Sequence, residues 1–271
     1  RDGYGYTDGV LALQALPGGS FLAAGFSFDG ISNRLVLFKG GRDGLPDPVF
    51  AQNSTQLIAM AGAGAVGEGL CPDRNGGAFL SATILRNDSS SLAVFSLELD
   101  GRADAGFGNQ GLKGLRLPGY VLSGSRLAVD PSSGLLAGVN AQSTGQQLVV
   151  IWRLLPGGEP DPAFGSGGMA LVSLSGEDVT LHDLQVSTNG KLYLCGGIGS
   201  GSTQRGFIAA LLSDGSPDLT FGVSGWFILG DPGRPSILSA MQYLPGGGLL
   251  ATGHQDEGGQ RKVLVLKLDQ F

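Results

Sequence analysis

Phenylalanines stand at positions 50, 107, 164 and 221, each 57 residues after the last, and an aspartate precedes each by three positions: Asp47, Asp104, Asp161 and Asp218. A catalytic loop is normally built once, whereas a segment built four times in one register is architecture. Stepping by 57 aligns the whole chain without a gap, in registers of about 10–60, 67–117, 124–174, 181–231 and 238–271, with 1–6 in phase behind the last. A chain that superposes on itself in this way must be a row of one supersecondary unit, each copy burying its apolar face against its neighbours.

Within the register one block reads QALPGGSFLAAG (14–25), CPDRNGGAFLSA (71–82), AVDPSSGLLAGV (128–139), QVSTNGKLYLCG (185–196) and QYLPGGGLLATG (242–253). An apolar run, a tight turn of Gly, Asn, Ser or Pro and a second apolar run make a β-hairpin. A third strand follows: LVLFK (35–39), LAVFS (92–96), LVVIW (148–152), FIAAL (207–211) and VLVLKL (263–268). A half-exposed strand would alternate, so runs apolar at nearly every position predict sheets covered on both faces. After the Asp-Phe segment comes a weaker fourth strand, clearest in GLKGLRL (111–117), GMALVSL (168–174) and GWFIL (225–229). The sequence therefore predicts an all-β, five-bladed β-propeller of four-stranded antiparallel sheets, forming one domain over 1–271. An open solenoid would need polar end caps, and VLVLKL offers none. Residues 1–6 fall at the end of a fourth strand, so they either complete the last blade or leave it with three strands.

Composition agrees. The 49 glycines and 13 prolines are separated by short apolar runs, and 42% hydrophobic content suffices for a core. A net charge of −6 leaves no basic face for a phosphate backbone, so nucleic acid is not an expected partner. No apolar run approaches the length of a membrane-spanning helix, and no membrane insertion is expected. Low charge, abundant Gly and Ser and only five lysines lean toward an exported bacterial protein, hence an extracellular, cell-surface or periplasmic location. The start at Arg1 reads as a processed or excised piece.

The succession of hairpin, apolar strand and SDGSPDLTFG (213–222) resembles the delta-60 repeat family of bacterial β-propellers over essentially the whole chain. The first copy, GGRDGLPDPVFAQ, departs by lacking a glycine after the phenylalanine, and LDGRADAGFG lacks the prolines. The resemblance implies a scaffold of exported or surface-associated proteins and no particular chemistry. The Asp-Phe segment itself reads as a structural clasp. Asp47, Asp104, Asp161 and Asp218 would accept backbone N–H bonds at a turn, with Phe50, Phe107, Phe164 and Phe221 plugging the apolar space beneath. A calcium site would need several more converging oxygens than the segment supplies.

If repeated columns are architecture, function lies where the pattern breaks. The loops 26–33, 83–90, 140–147, 197–204 and 254–261 vary freely, and the expected topology puts them on one face of the disc, opposite the hairpin turns. Two columns at the start of the first strand read Leu11, Glu68, Ser125, His182, Ser239 and Ala12, Gly69, Arg126, Asp183, Ala240. They would aim Glu68, Arg126, His182 and Asp183 at one mouth of a central channel. Glu68 and Asp183 could serve as the paired carboxylates of a glycoside-type hydrolase. The preferred reading is an Arg126 ion pair bridging carboxylates in a wet channel, because a shared architecture does not confer chemistry. His254, followed by Asp256 and Glu257, could contribute to a metal site, but solvated or singly hydrogen-bonded histidines are simpler, and no metal or other cofactor is expected. Tyr4, Tyr6 and Tyr120, with Phe26 and Phe28, suit stacking on a glycan or contact with a protein. Cys195 occupies a small-residue column and Cys71 a non-neighbouring blade, which predicts two free thiols. The favoured function is a non-catalytic, monomeric module that presents variable loops to a protein or glycan. A hydrolase and a structural surface-array module are the other readings.

Overall fold

The computed structural model describes residues 8–28, 33–51, 55–58, 64–86, 89–132, 134–230 and 233–269. Among the described residues nineteen strands form five antiparallel sheets in chain order. The first holds β1 (Asp8–Ala15), β2 (Phe21–Phe28), β3 (Asn33–Gly40) and β4 (Thr55–Ile58); the second holds β5 (Gly64–Pro72), β6 (Ala78–Arg86), β7 (Ser89–Leu97) and β8 (Leu112–Leu115). The third holds β9 (Val121–Val129), β10 (Leu135–Ser143), β11 (Gln146–Leu154) and β12 (Met169–Val172), and the fourth β13 (Val179–Val186), β14 (Leu192–Ile198), β15 (Arg205–Leu211) and β16 (Trp226–Ile228). The fifth holds β17 (Ser236–Tyr243), β18 (Leu249–Glu257) and β19 (Gln260–Leu268). The fold is the predicted five-bladed β-propeller. Residues 1–6, whose role in the last blade the sequence left between two readings, lie outside the described residues.

The chain divides into two compact units, Arg1–Val129 with Pro156–Glu159, and Asp130–Leu155 with Pro160–Phe271. In the first, Leu22, Leu35 and Leu37 pack with Leu80, Phe95 and Phe50. In the second, Cys195, Ile208 and Phe221 pack with Leu238, Met241 and Leu249. Two-sided burial holds for β7, β11 and β15, where the consecutive residues Leu92–Val94, Val149–Ile151 and Phe207–Ala209 are all buried, whereas on β3 Leu35 and Leu37 are sealed on one face and Val36 and Phe38 on the other are half-buried. It fails for β19, where Val263 and Val265 are 85% and 63% exposed. On β1, Leu13 is likewise exposed, although its register mates Leu184 and Met241 are buried. The reason is position: β1 lies in the first sheet of its unit and β19 in the last sheet of its own, so neither has a further sheet of that unit on that side.

The Asp-Phe clasp forms in all four copies. The amides of Asp47, Asp104, Asp161 and Asp218 donate to the third-strand carbonyls of Lys39, Ser96, Arg153 and Ala210 at 2.9–3.1 Å. Each carboxylate accepts the amide two residues ahead, from Val49, Gly106, Ala163 and Thr220 respectively. Phe50, Phe107, Phe164 and Phe221 are all buried. The residue after the phenylalanine then reaches the following repeat: Ala51 donates to Asp100, Gly108 to Gly157 and Gly165 to Asp214, at 2.7–2.8 Å. Beneath those turns the rings demand glycine. Gly158 has φ 84° with Phe107 against it, and Gly215 has φ 86° with Phe164 against it, so a Cβ at either would be strained and crowded at once.

The clasp aspartates also take a cation where one is in reach. Lys39 pairs with Asp47 at 3.1 Å, Arg153 with Asp161 at 2.8 Å, and both cations also lie over the clasp ring of their repeat, Phe50 and Phe164. In the second repeat the equivalent residue is Ser96, whose hydroxyl donates to Asp104 at 3.1 Å. In the fourth it is Ala210, which can donate nothing, and Lys191 from the β13–β14 turn substitutes at 2.6 Å from Asp218. The Lys191 bond first, and the Thr220 hydroxyl second, hold the Asp218 carboxyl below the usual carboxylate range.

Two outcomes follow from the clasp. Phe164→Ala should cost about 3–5 kcal/mol in urea unfolding, whereas Val223→Thr, at an 80% exposed site, should change it by less than about 0.5 kcal/mol. Asp218→Asn should lower stability at pH 7 by about 1–3 kcal/mol. Because the folded-state pKa is depressed, that contribution is complete above the unfolded value of about 3.9 and is lost as pH falls through the folded one. Melting curves of wild type and variant should therefore converge below about pH 4.

Candidate functional site

The first strand of each sheet is an edge strand, so every second amide points away from its pairing partner and needs an acceptor elsewhere. It is also bulged. The register slips between Val10 and Ala12 on β1, Gly67 and Gly69 on β5, Leu181 and Asp183 on β13, and Leu238 and Ala240 on β17. The extra residues are Leu11, Glu68, His182 and Ser239, members of the column singled out in the sequence. On β14, Gly196 lies against the backbone of the β13 bulge, where a Cβ would strike the Thr180 carbonyl.

This geometry sets what Glu68 and Asp183 do. Glu68 Oε2 accepts the backbone amide of Ser125 on β9 at 3.0 Å and the Thr83 hydroxyl at 3.2 Å. Beside it the Ser81 and Ser125 hydroxyls bond at 2.8 Å, and Arg126 donates to the Ser125 carbonyl at 2.8 Å. Asp183 Oδ2 accepts the amide of Met241 on β17 at 2.7 Å, and its Oδ1 accepts the amide of Leu184 at 2.8 Å. Asn140 on β10 does the same for the Leu181 backbone on β13, accepting its amide at 2.7 Å and donating to its carbonyl at 3.2 Å. All three side chains reach the edge strand of the sheet that follows. The four residues expected at one channel mouth belong to the two units in pairs. Glu68 and Arg126 lie beside Ser125 in the first unit, and His182 and Asp183 lie on β13 in the second. Asn140 was missed in the sequence because its column falls at the end of a variable loop, where an amide looks like surface.

The other expected residues separate. His254 and Asp256 on β18 share an open cleft of about 400 Å³ with Gln204, Ser236 and Arg261, and Arg261 pairs with Asp256 at 3.2 Å. Glu257 is taken by Lys262, with Arg234 at 2.9 Å, and these lower its carboxyl pKa. Across the 199–204 loop a second cleft of about 460 Å³ is lined by Gln146, Glu177, Asp178, Ser200 and Thr203. Arg205 pairs with Glu177 at 2.6 Å at its edge. Tyr120 sits in the loop before β9, its amide on the Leu117 carbonyl, and Tyr4 and Tyr6 lie outside the described residues. Among the described residues no three His, Cys, Asp or Glu side chains gather as a metal would require. Both cysteines are free, and burial pushes the Cys71 thiol up to about 11.

No family model and no curated protein matches the chain. Solved structures do. The PQQ-bound form of aldose sugar dehydrogenase from Streptomyces coelicolor is 15% identical, with a TM-score of 0.52 over 97% of this chain and 81% of that one. The polysaccharide lyase Uly1 is 11% identical, with a TM-score of 0.51 over 96% and 68%. The endo-arabinase from Bacteroides thetaiotaomicron is 12% identical, with a TM-score of 0.47 over 98% and 96%. The likeness is one of fold alone.

Removing the Glu68 acceptor should act on stability. Glu68→Ala, which strands the Ser125 amide, should cost about 1–3 kcal/mol in urea unfolding, and Glu68→Gln, which keeps an acceptor oxygen, clearly less.

Proposed function

We propose that the chain is a non-catalytic propeller module that binds a polar ligand, a glycan or a protein segment, through the variable loops at the 199–204 end of its blades. The observation that carries this reading is the commitment of the two carboxylates best placed for hydrolysis. Both Asp183 oxygens and the Oε2 of Glu68 accept backbone or hydroxyl hydrogens that fasten the next edge strand. A general acid or nucleophile must be free to exchange a proton or form a bond with substrate, and these groups would lose their structural bonds in doing so. The two clefts flanking the 199–204 loop support the binding half of the reading. They are open, and Gln146, Asp178, Thr203, His254 and Arg261 offer hydrogen-bonding groups of both kinds. The repeat pattern supports placing the chain among the delta-60 propellers. Its low charge and Gly/Ser content support a place outside the bacterial cytoplasm; among the described residues no helix is long and apolar enough to cross a membrane.

The test joins binding to turnover. On an array of glycans and in titrations with peptides, wild type should bind at least one ligand, and the pair His254→Ala with Arg261→Ala should weaken it about tenfold or more. The same preparations should release no product from glycan or ester substrates. Turnover by wild type that Glu68→Gln or Asp183→Asn abolishes would replace the binding reading with a hydrolase.

A further inference from the structure

The strongest break in the repeat pattern lies at the other end of the fourth and fifth blades. In the 57-residue register the column of Tyr193 otherwise holds Leu22, Phe79, Leu136 and Leu250, and that of Tyr243 holds Ala15, Pro72, Val129 and Val186. The column of Lys191 holds Ser20, Gly77, Gly134 and Gly248. All three exceptions line one cleft of about 660 Å³ between the β13–β14 turn and the β17–β18 turn. The Tyr193 and Tyr243 rings are stacked, 5.9 Å between centroids and 15° from parallel. Around them stand Thr188 and Asn189 on one lip and Gly246 and Gly247 on the other.

We propose that this cleft binds a neutral saccharide, with Tyr243 as the surface on which a sugar ring rests. The site goes beyond the loop-face reading, because Lys191 and Ser200 lie at opposite ends of β14. Three features select the ligand. A sugar ring has apolar C–H faces and a rim of hydroxyls, which suits a partly exposed tyrosine beside hydroxyl and amide groups. The Lys191 ammonium is held 2.6 Å from the Asp218 carboxylate, so the cleft brings no uncompensated positive charge for a phosphate or uronate. On the other lip Leu244 and Pro245 carry apolar side chains, whereas Gly246 and Gly247 carry none, so a ring can come close to the backbone there. Structural need explains Lys191, which replaces the third-strand cation missing at Ala210. It does not explain the half-exposed Tyr243, whose column holds alanine, proline and valine elsewhere; Tyr193 is buried and packs against the clasp ring Phe221, as Phe79 packs against Phe107.

The probes are neutral cello-, xylo- and galacto-oligosaccharides, with oligogalacturonate and a proline-rich peptide as charged and peptidic alternatives. Binding is followed by saturation-transfer NMR and calorimetry. Wild type should bind at least one neutral oligosaccharide. Tyr243→Leu, which keeps an apolar residue of the kind other repeats use, should weaken it about tenfold or more, and Tyr243→Phe should stay within about threefold. Urea midpoints of both variants near wild type show that the fold is intact, and Tyr243→Val, the residue of two other repeats, takes the place of a leucine variant that fails to fold. The pair His254→Ala with Arg261→Ala should leave this binding unchanged, so failure of the loop-face reading and failure of this one are told apart. The inference is overturned if no neutral oligosaccharide binds, if binding survives Tyr243→Leu and Tyr243→Val, if only oligogalacturonate or the peptide binds, or if the loop pair abolishes it.

Discussion

Every sheet begins with a strand that has only one partner, and the fold depends on how the unpaired side of that strand is satisfied. An edge amide left dry costs more than a hydrogen bond normally returns, and an edge left wet invites pairing with another chain. Here side chains from the preceding sheet supply the acceptors: Glu68 for β9, Asn140 for β13 and Asp183 for β17. The result is directional, because the second, third and fourth sheets each fasten the one that follows, and the Asp-Phe clasp repeats that direction at the opposite ends of the strands.

Columns that repeat were legible in the sequence because repetition itself is the signal. The strand order and the hairpins could be read from five aligned copies, and the buried phenylalanines and turn-capping aspartates from four, without knowing any distance. Columns that vary were read less well. Glu68, His182 and Asp183 broke their column and so looked functional, yet a varying column can also be one structural task performed by different residues. Glu68 and Asn140 fasten edge strands in adjacent repeats from different columns, and no alignment at fixed spacing shows them to be equivalents. Tyr243 failed to stand out for the opposite reason: an aromatic in an apolar column looks like core until the neighbouring turn is seen to leave it half-exposed at a cleft.

Burial also divides the cores from the outer strands in a way that hydropathy does not. Val263 and Val265 are as apolar as Leu35 and Leu37, and the sequence gives no hint that one pair is bare and the other sealed. Burial belongs to the neighbour as much as to the residue. For the same reason the run VLVLKL is ambiguous evidence about how a repeat array ends, since it looks identical whether or not anything lies against it.

The displaced cation of the fourth repeat bears on how such a chain can change. In the first and third repeats the clasp aspartate and its positive partner sit within one strand-and-turn segment, Lys39 with Asp47 and Arg153 with Asp161. In the fourth they are separated by the whole β14–β15 hairpin, Lys191 with Asp218. A recombination event that exchanged the segment from the third strand of a repeat onward would carry the first and third arrangements whole but would divorce the fourth from its lysine. Repeats of this kind are therefore unequal units of exchange, and the alanine at 210 marks where the fourth ceased to be a portable one.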